Sequence, residues 1–424
     1  MSRTWAALLW LLSRGLVLWL FFGPEAWVTG DVAYFANSLT QVPDNGLAAT
    51  LVEYPLPGVA LVAFPWAVSE WVGRPDLYAE LVLVLAALTD AAFTVLLHRF
   101  GRSGRAVALW LWLLAVPLLG ATTYARFDLV PGILAGVAVL LLVERPRVAA
   151  AAGAVATGLK LWPALLLPAL AARSRGRRAV VGTVAVLGVL LAFASLALAG
   201  WSRLVSPLTW QADRGLQIES VLATPAMLAW AWAPDQLAIG YSDYNAYQVS
   251  GPGVSALLGA SNVLTVLLVV ALVVLWARAW RAGDGLGVDA VVWTCLAAVS
   301  GFMVTSKVLS PQYLLWLLPV AAAGLAVSET RAQRDLRRWG AVLLATTGVT
   351  HLVFPVYYGA LTQHTEQSVA VVLLLAARNL ALVWLSVWAG RRAWAVQRRV
   401  GPQRGSELDR QPAAPNGKDA PTLR

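Results

Sequence analysis

The chain has 424 residues, of which 59% are hydrophobic and 13% are charged, and its mean hydropathy is +0.68. This composition excludes an ordinary soluble domain, and its repeated apolar runs of about twenty residues predict transmembrane helices. The net charge of +10 would suggest nucleic acid in a soluble protein, but in a membrane protein it points to cytoplasmic loops, so no nucleic-acid partner is expected. The single cysteine, Cys295, excludes a disulfide framework and a thiolate metal cluster.

Arginine-rich loops predict the topology of the chain. Basic residues cluster near 99–105, 145–147, 173–178, 278–281 and 331–338, and again from Arg391 onward. If these loops and both termini are cytoplasmic, an even number of crossings separates neighbouring loops. The prediction is an all-α, multi-pass cell-membrane protein with about twelve transmembrane helices. They lie near 5–22, 77–97, 107–122 and 126–143, as a half-length pair within 147–173, and near 179–199, 254–275, 288–304, 312–327, 339–356 and 368–390.

Several segments do not fit full-length spans. The apolar stretch at 56–72 carries two prolines and is predicted to be a helix lying in the interface of the first outer loop. The run between 147 and 173 is interrupted by Gly158 and Pro163, which predicts two half-length helices that meet near Lys160. Residues 200–252 form a long outer loop with a YSDYNAY run. Residues 1–398 make one transmembrane domain, and 399–424 are predicted to be a disordered cytoplasmic tail.

The first outer loop, GDVAYFANSLTQVPDNGLAATLVEYPLP over 30–57, contributes acidic residues to the predicted outer face. Other spans bring cations, further acids and two histidines to the same side. Such a set suits transfer of a sugar from a polyprenyl phosphate, because a carboxylate can take the proton of an acceptor hydroxyl and cations can hold the leaving phosphate. The residues are Asp31, Glu53, Arg126, Asp128, Lys160, Lys307, His351, His364 and Glu366.

Each of these residues also has a structural interpretation. Lys160 and Lys307 could reach lipid headgroups, and Arg126 and Asp128 could form a local ion pair. His351 fits a packed interfacial histidine better than a catalyst. Two further ionisable residues, Asp90 and Arg378, fall within predicted spans, where charge is costly and marks either a functional site or a buried polar contact.

Short motifs along the chain resemble those of the type-C, polyprenol-phosphate-sugar-dependent integral membrane glycosyltransferases. They are the early aspartate and EYPLP of the first outer loop, RFDLVP, GLKLWPALLLPAL and KVLSPQYLLWLLP. The chain is most similar to the family 87 alpha-mannosyltransferases of actinobacterial type, which include enzymes of phosphatidylinositol mannoside synthesis. The EYPLP motif departs from the Y-P-P-L form usual in that group.

The resemblance implies an active site on the extracytoplasmic face, a polyprenyl-phosphate mannose donor and a glycolipid or lipoglycan acceptor. By position, Asp31 would be the general base. No acid adjoins Asp31, so no metal or other cofactor is expected, since hard cations require several oxygen ligands. The residues expected to bind substrate are Glu53, Tyr54, Arg126, Asp128, Lys160, Lys307, Gln312, Tyr313 and His351.

Two other classes of function remain open at this level. A transporter or flippase for lipid-linked sugars would explain the many spans, and it predicts internal repeats and polar residues at the membrane midplane. A non-catalytic membrane partner, such as a scaffold in envelope assembly, predicts that Asp31 can be replaced without loss. The concentration of charge at one interface favours the enzyme.

Overall fold

A computed structural model of the chain describes residues 2–173 and 175–398, without the side chains of 284 and 330–332. The predicted tail at 399–424 lies outside the described residues. The helices are α1 Arg3–Phe22, α2 Gly30–Thr40, α3 Val42–Asn45, α4 Leu56–Trp71, α5 Tyr78–Phe100, α6 Arg105–Leu119, α7 Thr122–Ala125, α8 Leu129–Leu140, α9 Pro146–Leu159, α10 Leu167–Leu170, α11 Arg177–Ala212, α12 Thr224–Trp232, α13 Val254–Ala282, α14 Val288–Thr305, α15 Leu314–Val327, α16 Thr330–His351, α17 Gly359–Thr362 and α18 Ser368–Arg398. Two strands, β1 Ala238–Ser242 and β2 Ala246–Ser250, form a hairpin.

The helices confirm the predicted class, an all-α polytopic membrane protein. Within the described residues, seven helices are long and apolar enough to cross a membrane, and four more are apolar but shorter. The predicted total of about twelve spans is not confirmed. Helix α4 occupies the segment predicted to lie in the interface, and its orientation to the membrane stays a prediction. The seven are Arg3–Phe22, Pro75–Phe100, Arg177–Ala212, Val254–Ala282, Val288–Thr305, Gln333–Val356 and Ser368–Arg398.

The shorter helices α8 and α15 form the centre of the bundle. Every residue of α15 is buried, and α8 packs along it. The contact is close because glycine faces backbone: a side chain at Gly132 would collide with the carbonyl oxygen of Leu315, and one at Gly136 with that of Pro319. Small residues allow this approach between membrane helices. The packing places the start of α8 beside the start of α15, and with them the RFDLVP and SPQYLLW motifs.

The segment around Lys160 is broken, as its glycine and proline indicate. Helix α9 ends at Leu159, and Lys160 itself is extended, with φ −152° and ψ 138°. The chain continues as a 3₁₀ helix, Trp162–Leu166, followed by the short α10. The second member of the predicted pair is therefore an irregular segment instead of a half-length α-helix. Because of this break, Lys160 directly follows the last residue of α9 and is not itself part of a helix.

Much of the predicted outer loop at 200–252 is ordered into helices and a hairpin. Helix α11 does not end at the predicted boundary but continues to Ala212 after a break at Gly200, whose φ of 78° suits glycine. In the hairpin, Tyr241 pairs with Tyr247 across the strands. The three-residue turn ends at Asn245, which has a φ of 52°, as such turns require.

Asp90, at mid-span in α5, is the centre of a buried polar cluster. Arg14 of α1 donates to both carboxylate oxygens, each at 2.7 Å. Trp112 and Tyr124 donate at 2.6 Å, and Trp10 donates at 3.1 Å. These donors satisfy a charge that would otherwise be costly in the bundle. Asp90 therefore links α1, α5, α6 and α7 through hydrogen bonds. A buried polar contact of this kind is one of the two roles that the sequence left open for Asp90.

Candidate active site

A cavity of about 340 Å³ lies where the first predicted outer loop meets the hairpin and the start of α15. Its walls come from α2, the segment before α4, Lys160, the end of α11, the hairpin and the chain after α16. Three predicted site residues, Asp128, Lys307 and His351, are not part of its lining. The other seven line it together: Asp31, Glu53, Tyr54, Arg126, Lys160, Gln312 and Tyr313.

Asp31 lies in the first turn of α2 and is oriented by Arg126. The guanidinium Nη1 lies 3.0 Å from Asp31 Oδ1 and also donates to the carbonyl of Val28 at 3.0 Å. The Arg126 side chain is 10% exposed, whereas that of Asp31 is 37% exposed. The cation is therefore packed into the wall, over the Phe354 ring, and the carboxylate remains accessible from the cavity.

Asp128 lies behind the cavity wall, paired with Lys160. The ammonium donates to both carboxylate oxygens, at 2.7 and 2.9 Å, and Trp316 Nε1 donates to Oδ1 at 2.5 Å. The Asp128 side chain is 2% exposed. Arg126 and Asp128 are thus not partners of each other, because each pairs with a residue from another part of the chain. The buried carboxylate positions Lys160 and is itself closed off from the cavity.

Aromatic rings from two of the resemblance motifs surround the Lys160 ammonium. Its Nζ lies 5.7 Å from the centre of the Tyr54 ring, 5.8 Å from that of Tyr313 and 5.6 Å from that of Trp316. Trp162 stacks on Trp316, with ring centres 5.0 Å apart. Such rings stabilise a cation at short range. The EYPLP, RFDLVP, GLKLWP and SPQYLLW motifs therefore meet around one lysine.

Glu53 is a second carboxylate of the cavity. It accepts a hydrogen bond of 2.8 Å from the Tyr34 hydroxyl, and burial raises its pKa above the ordinary value, against the opposing effect of that bond. The backbone just before it is fixed by Arg203, which donates to the carbonyls of Thr50 and Leu51. Glu53 is therefore held in place and has a higher proton affinity than an exposed glutamate.

The predicted loop at 200–252 contributes a wall that sequence reasoning missed. The hairpin brings three tyrosines to the cavity, and the chain before it brings a tryptophan, an arginine and a glutamate. Alternating tyrosines around a polar turn in YSDYNAY are the one signal that could have predicted a hairpin here. The wall residues are Trp210, Arg214, Glu219, Tyr241, Tyr244 and Tyr247.

Glu219 connects this wall to α18. Arg378 Nη2 lies 3.3 Å from its carboxylate, and both side chains are 1% exposed. The Tyr358 hydroxyl also donates to it. Burial raises the pKa of Glu219 to about 7, although Arg378 opposes the shift. Arg378 is thus the buried partner of a cavity carboxylate, 159 residues away in the chain.

We expect Glu219→Gln to flatten the pH dependence of stability. Because burial raises the folded-state pKa from 4.5 to about 7, the folded protein keeps a proton that the unfolded chain loses between these values. The stability contributed by this group therefore falls as pH rises through that window. Unfolding temperatures in detergent, measured at about pH 5 and about pH 7.5, should differ less in the variant than in the wild type. The exposed Glu366→Gln is the control, and equal slopes for wild type and Glu219→Gln would contradict the assignment.

A second cavity, of about 510 Å³, adjoins the first. Glu53, Lys160, Gln211 and Tyr313 line both, so they form the junction. Its other walls are mainly apolar, from α11, α14, α15 and the residues after Lys160, whereas α13 contributes the polar Ser261, Asn262 and Thr265. Lys307 lies in this cavity, where it donates to the carbonyl of Ala212 at 2.7 Å, and burial lowers its pKa.

His351 lies outside both cavities, in a contact between helix ends. Its Nε2 is 2.6 Å from Glu25 Oε1, and its Nδ1 is 3.0 Å from the carbonyl oxygen of Leu118. Glu25 also accepts from the backbone amide of Ala121 at 2.8 Å. This pair holds the segment before Asp31 against α6 and α16. The other predicted outer histidine, His364, is 3.2 Å from the carbonyl oxygen of Ala231 and does not line the cavity.

The cavity has its carboxylates on separate walls. Among the described residues there is no group of three or more His, Cys, Asp or Glu that could hold a metal ion. The expectation that no cofactor takes part stays a prediction. The arrangement provides an accessible carboxylate, Asp31, in a cavity that Lys160 and Arg214 also line and that adjoins a second, mainly apolar cavity.

Comparison with known proteins decides the class. A model described as glycosyltransferase family 87 matches residues 52–287, more than half of the chain. The chain belongs to glycosyltransferase family 87. No curated protein and no solved structure matches it. The protein is therefore a glycosyltransferase, and its apolar helices make it a multi-pass membrane protein.

The family 87 match covers some residues of the candidate site and leaves others outside its range. Its matched range runs from just before Glu53 to the loop after α13. It includes the junction residue Lys160, its partner Asp128, and the hairpin. Asp31 and the whole SPQYLLW segment lie outside it and join the site through the fold. The sequence-predicted site residues inside the matched range are Glu53, Tyr54, Arg126, Asp128 and Lys160.

Proposed function

We propose that this family 87 enzyme transfers mannose from a polyprenyl-phosphate donor to a glycolipid or lipoglycan acceptor. The reaction takes place on the extracytoplasmic face, with both termini cytoplasmic. The observation that supports it best is the accessible Asp31 carboxylate in a cavity that continues, through Lys160, into an apolar chamber. A soluble sugar donor has no use for such a chamber, whereas a lipid-linked donor needs one.

Asp31 is proposed as the general base. An acceptor hydroxyl in the cavity gives its proton to an Asp31 oxygen while the hydroxyl oxygen forms a bond to the anomeric carbon of mannose. The bond from that carbon to the phosphate oxygen breaks, and the polyprenyl phosphate leaves with the electron pair. Arg126, in an ion pair with the carboxylate, keeps it directed at the acceptor, and positioning of this kind is a large part of catalysis.

The donor phosphate is proposed to lie at the junction of the two cavities. Lys160 lines both, and Lys307 and Arg214 lie one on either side. In the described part of the chain, neither Lys307 nor Arg214 is in an ion pair, so each can bind a phosphate oxygen. Negative charge grows on the leaving phosphate during the reaction, and fixed cations at that place lower the barrier.

The lipid chain of the donor is proposed to occupy the second cavity. Its walls include Pro207 and Leu208 of α11 and Phe302 of α14. Helices α11 and α13 are the least buried of the seven spanning helices, with 11% of their most apolar windows covered by protein. Both must face lipid, so a polyprenyl chain can enter between them from the bilayer.

The acceptor sugar is proposed to bind against the hairpin wall. The rings of Tyr241, Tyr244 and Tyr247 and the Trp210 ring line this side of the first cavity. Aromatic faces pack well against the apolar faces of sugar rings, and their polar edges donate hydrogen bonds. Glu53 supplies an acceptor for sugar hydroxyls on a neighbouring wall.

Membership of a glycosyltransferase family favours the enzyme over the alternative function of a transporter. A flippase would use Asp90 and Arg378 as exposed midplane groups, whereas both are buried in contacts with Arg14 and Glu219. No observation on these residues favours transport.

A donor panel tests the proposal. The purified protein, in liposomes with a glycolipid acceptor, is given polyprenyl-phosphate mannose, the corresponding glucose and arabinose donors, or a nucleotide-linked mannose. We expect labelled glycolipid from the polyprenyl-phosphate mannose alone. Transfer from the nucleotide sugar would refute the lipid-linked donor, and preference for glucose or arabinose would refute the sugar.

A further inference from the structure

A cavity that shares no lining residue with the candidate active site lies between α1 and α5. It measures about 710 Å³, within the range of small-molecule sites. Helix α1 packs mainly on α6, which leaves an open groove beside α5. The groove lies between the N-terminal half of α1 and the C-terminal half of α5. It therefore adjoins the basic loop that follows α5. Its lining is Arg3, Ala6, Ala7, Trp10, Leu11, Ala91, Thr94, Val95, His98, Arg99 and Arg105.

The groove is cationic at one end and apolar along its length. Arg3, Arg99 and Arg105 are all exposed at its mouth, and within the described residues none of the three is in an ion pair. Arg105 donates to the backbone carbonyl of His98 at 3.4 Å, which keeps it beside the end of α5. No carboxylate lies among the described lining residues. Three exposed guanidinium groups above an apolar channel match an anionic headgroup above a hydrocarbon chain.

The depth of the groove agrees with one leaflet of a bilayer. It extends from Arg3 to Leu11 along α1, and eight residues of helix rise about 12 Å. One leaflet of the hydrocarbon core is about 15 Å thick. At its inner end Trp10 turns its ring nitrogen away, to Asp90, so the surface left toward the groove is the apolar part of the ring.

We propose that this groove is a binding site for one anionic phospholipid of the leaflet that contacts the basic loops. The headgroup phosphate binds among Arg3, Arg99 and Arg105, and an acyl chain fills the channel between α1 and α5. The site is separate from the proposed sugar-transfer cavity and does not depend on the proposed donor or acceptor.

Native mass spectrometry of the full chain in detergent tests the site. The probes are phosphatidylglycerol and phosphatidylcholine of equal chain length. Each arginine near an anionic headgroup contributes roughly a fivefold gain in affinity. We therefore expect R3Q/R99Q/R105Q to lose affinity for phosphatidylglycerol on the order of 100-fold. The control, R147Q/R175Q/R178Q, removes the same charge from other exposed arginines of the basic loops and should change affinity less than about twofold.

A pair of neighbouring alanines tests the channel. Ala91 lines it, whereas Ala92 is exposed and does not. Ala91→Trp should displace the acyl chain and abolish preferential binding of phosphatidylglycerol, while Ala92→Trp should leave it intact. The proposal is overturned if the wild type binds the two lipids equally, if both triple variants lose affinity alike, or if Ala91→Trp binds as the wild type does. Because the tryptophan variants keep all arginines, they test whether lipid occupies the groove even if the triple arginine variant does not fold.

Discussion

Asp31→Asn should lower the rate of sugar transfer by about 10² to 10⁴-fold, the usual contribution of a general base. The amide keeps the size of the side chain, and its oxygen can replace the carboxylate oxygen that lies 3.0 Å from Arg126 Nη1. It cannot take the proton of the acceptor hydroxyl. The loss should therefore fall on kcat and leave the KM for the donor nearly unchanged. Initial rates with labelled donor, at matched protein levels in membranes, measure it.

The matched control for this variant is Asp44→Asn. Asp44 lies in the same outer segment, in α3, and its side chain is exposed and outside the cavity lining. It should transfer sugar at the wild-type rate. If Asp31→Asn retained that rate as well, Asp31 would not be the base. The buried Asp128 would be a poor replacement because it already accepts three hydrogen bonds from Lys160 and Trp316, so Glu53 would be tested next.

Lys160→Met should both destabilise the protein and weaken donor binding. Asp128 would keep its charge in a site where its side chain is 2% exposed, with only Trp316 left to donate to it. Removing one partner of a buried pair costs roughly 3 kcal/mol, here at the low end of the usual range because the lysine is partly exposed. Thermal unfolding in detergent measures the stability, and the KM for the donor measures the binding.

A second substitution separates these two effects. Asp128→Asn removes the buried charge, so the double variant Asp128→Asn/Lys160→Met should recover at least about 1 kcal/mol of the loss, as coupled pairs do. Its KM for the donor should stay high, because the cation at the junction is still missing. Recovery of both properties would mean that Lys160 only neutralises Asp128. A Lys160→Met protein as stable as the wild type would contradict the buried pair itself.

The sequence predicted the class of fold and seven of the residues that line the cavity, for identifiable reasons. Long apolar runs specify membrane helices whatever their partners, so the polytopic all-α class follows from composition. Lys160 could be singled out because Gly158 and Pro163 interrupt its helix. Asp31 and Tyr313 lie in short motifs close to the ends of predicted spans. Because an even number of crossings separates neighbouring basic loops, those ends are predicted to lie on the same face of the membrane.

What the sequence could not provide are the pairings between distant residues. Arg126 and Asp128 are two positions apart, which suggests a local pair, yet each binds a partner from another segment, Asp31 and Lys160. Glu219 and Arg378 meet across 159 positions. No local periodicity encodes such contacts, because they arise only when helices pack. His351 was expected near substrate for its position, and only the packing shows that Glu25 holds it.

The measurement that tests the account most directly follows both lipid products of one reaction. Purified protein in liposomes is given doubly labelled polyprenyl-phosphate mannose and a glycolipid acceptor. The account predicts that mannosylated glycolipid and free polyprenyl phosphate form in equal amounts, and that both form at least about 10²-fold more slowly with Asp31→Asn. If the donor instead crosses the bilayer intact and no polyprenyl phosphate is released, sugar transfer from this donor is contradicted.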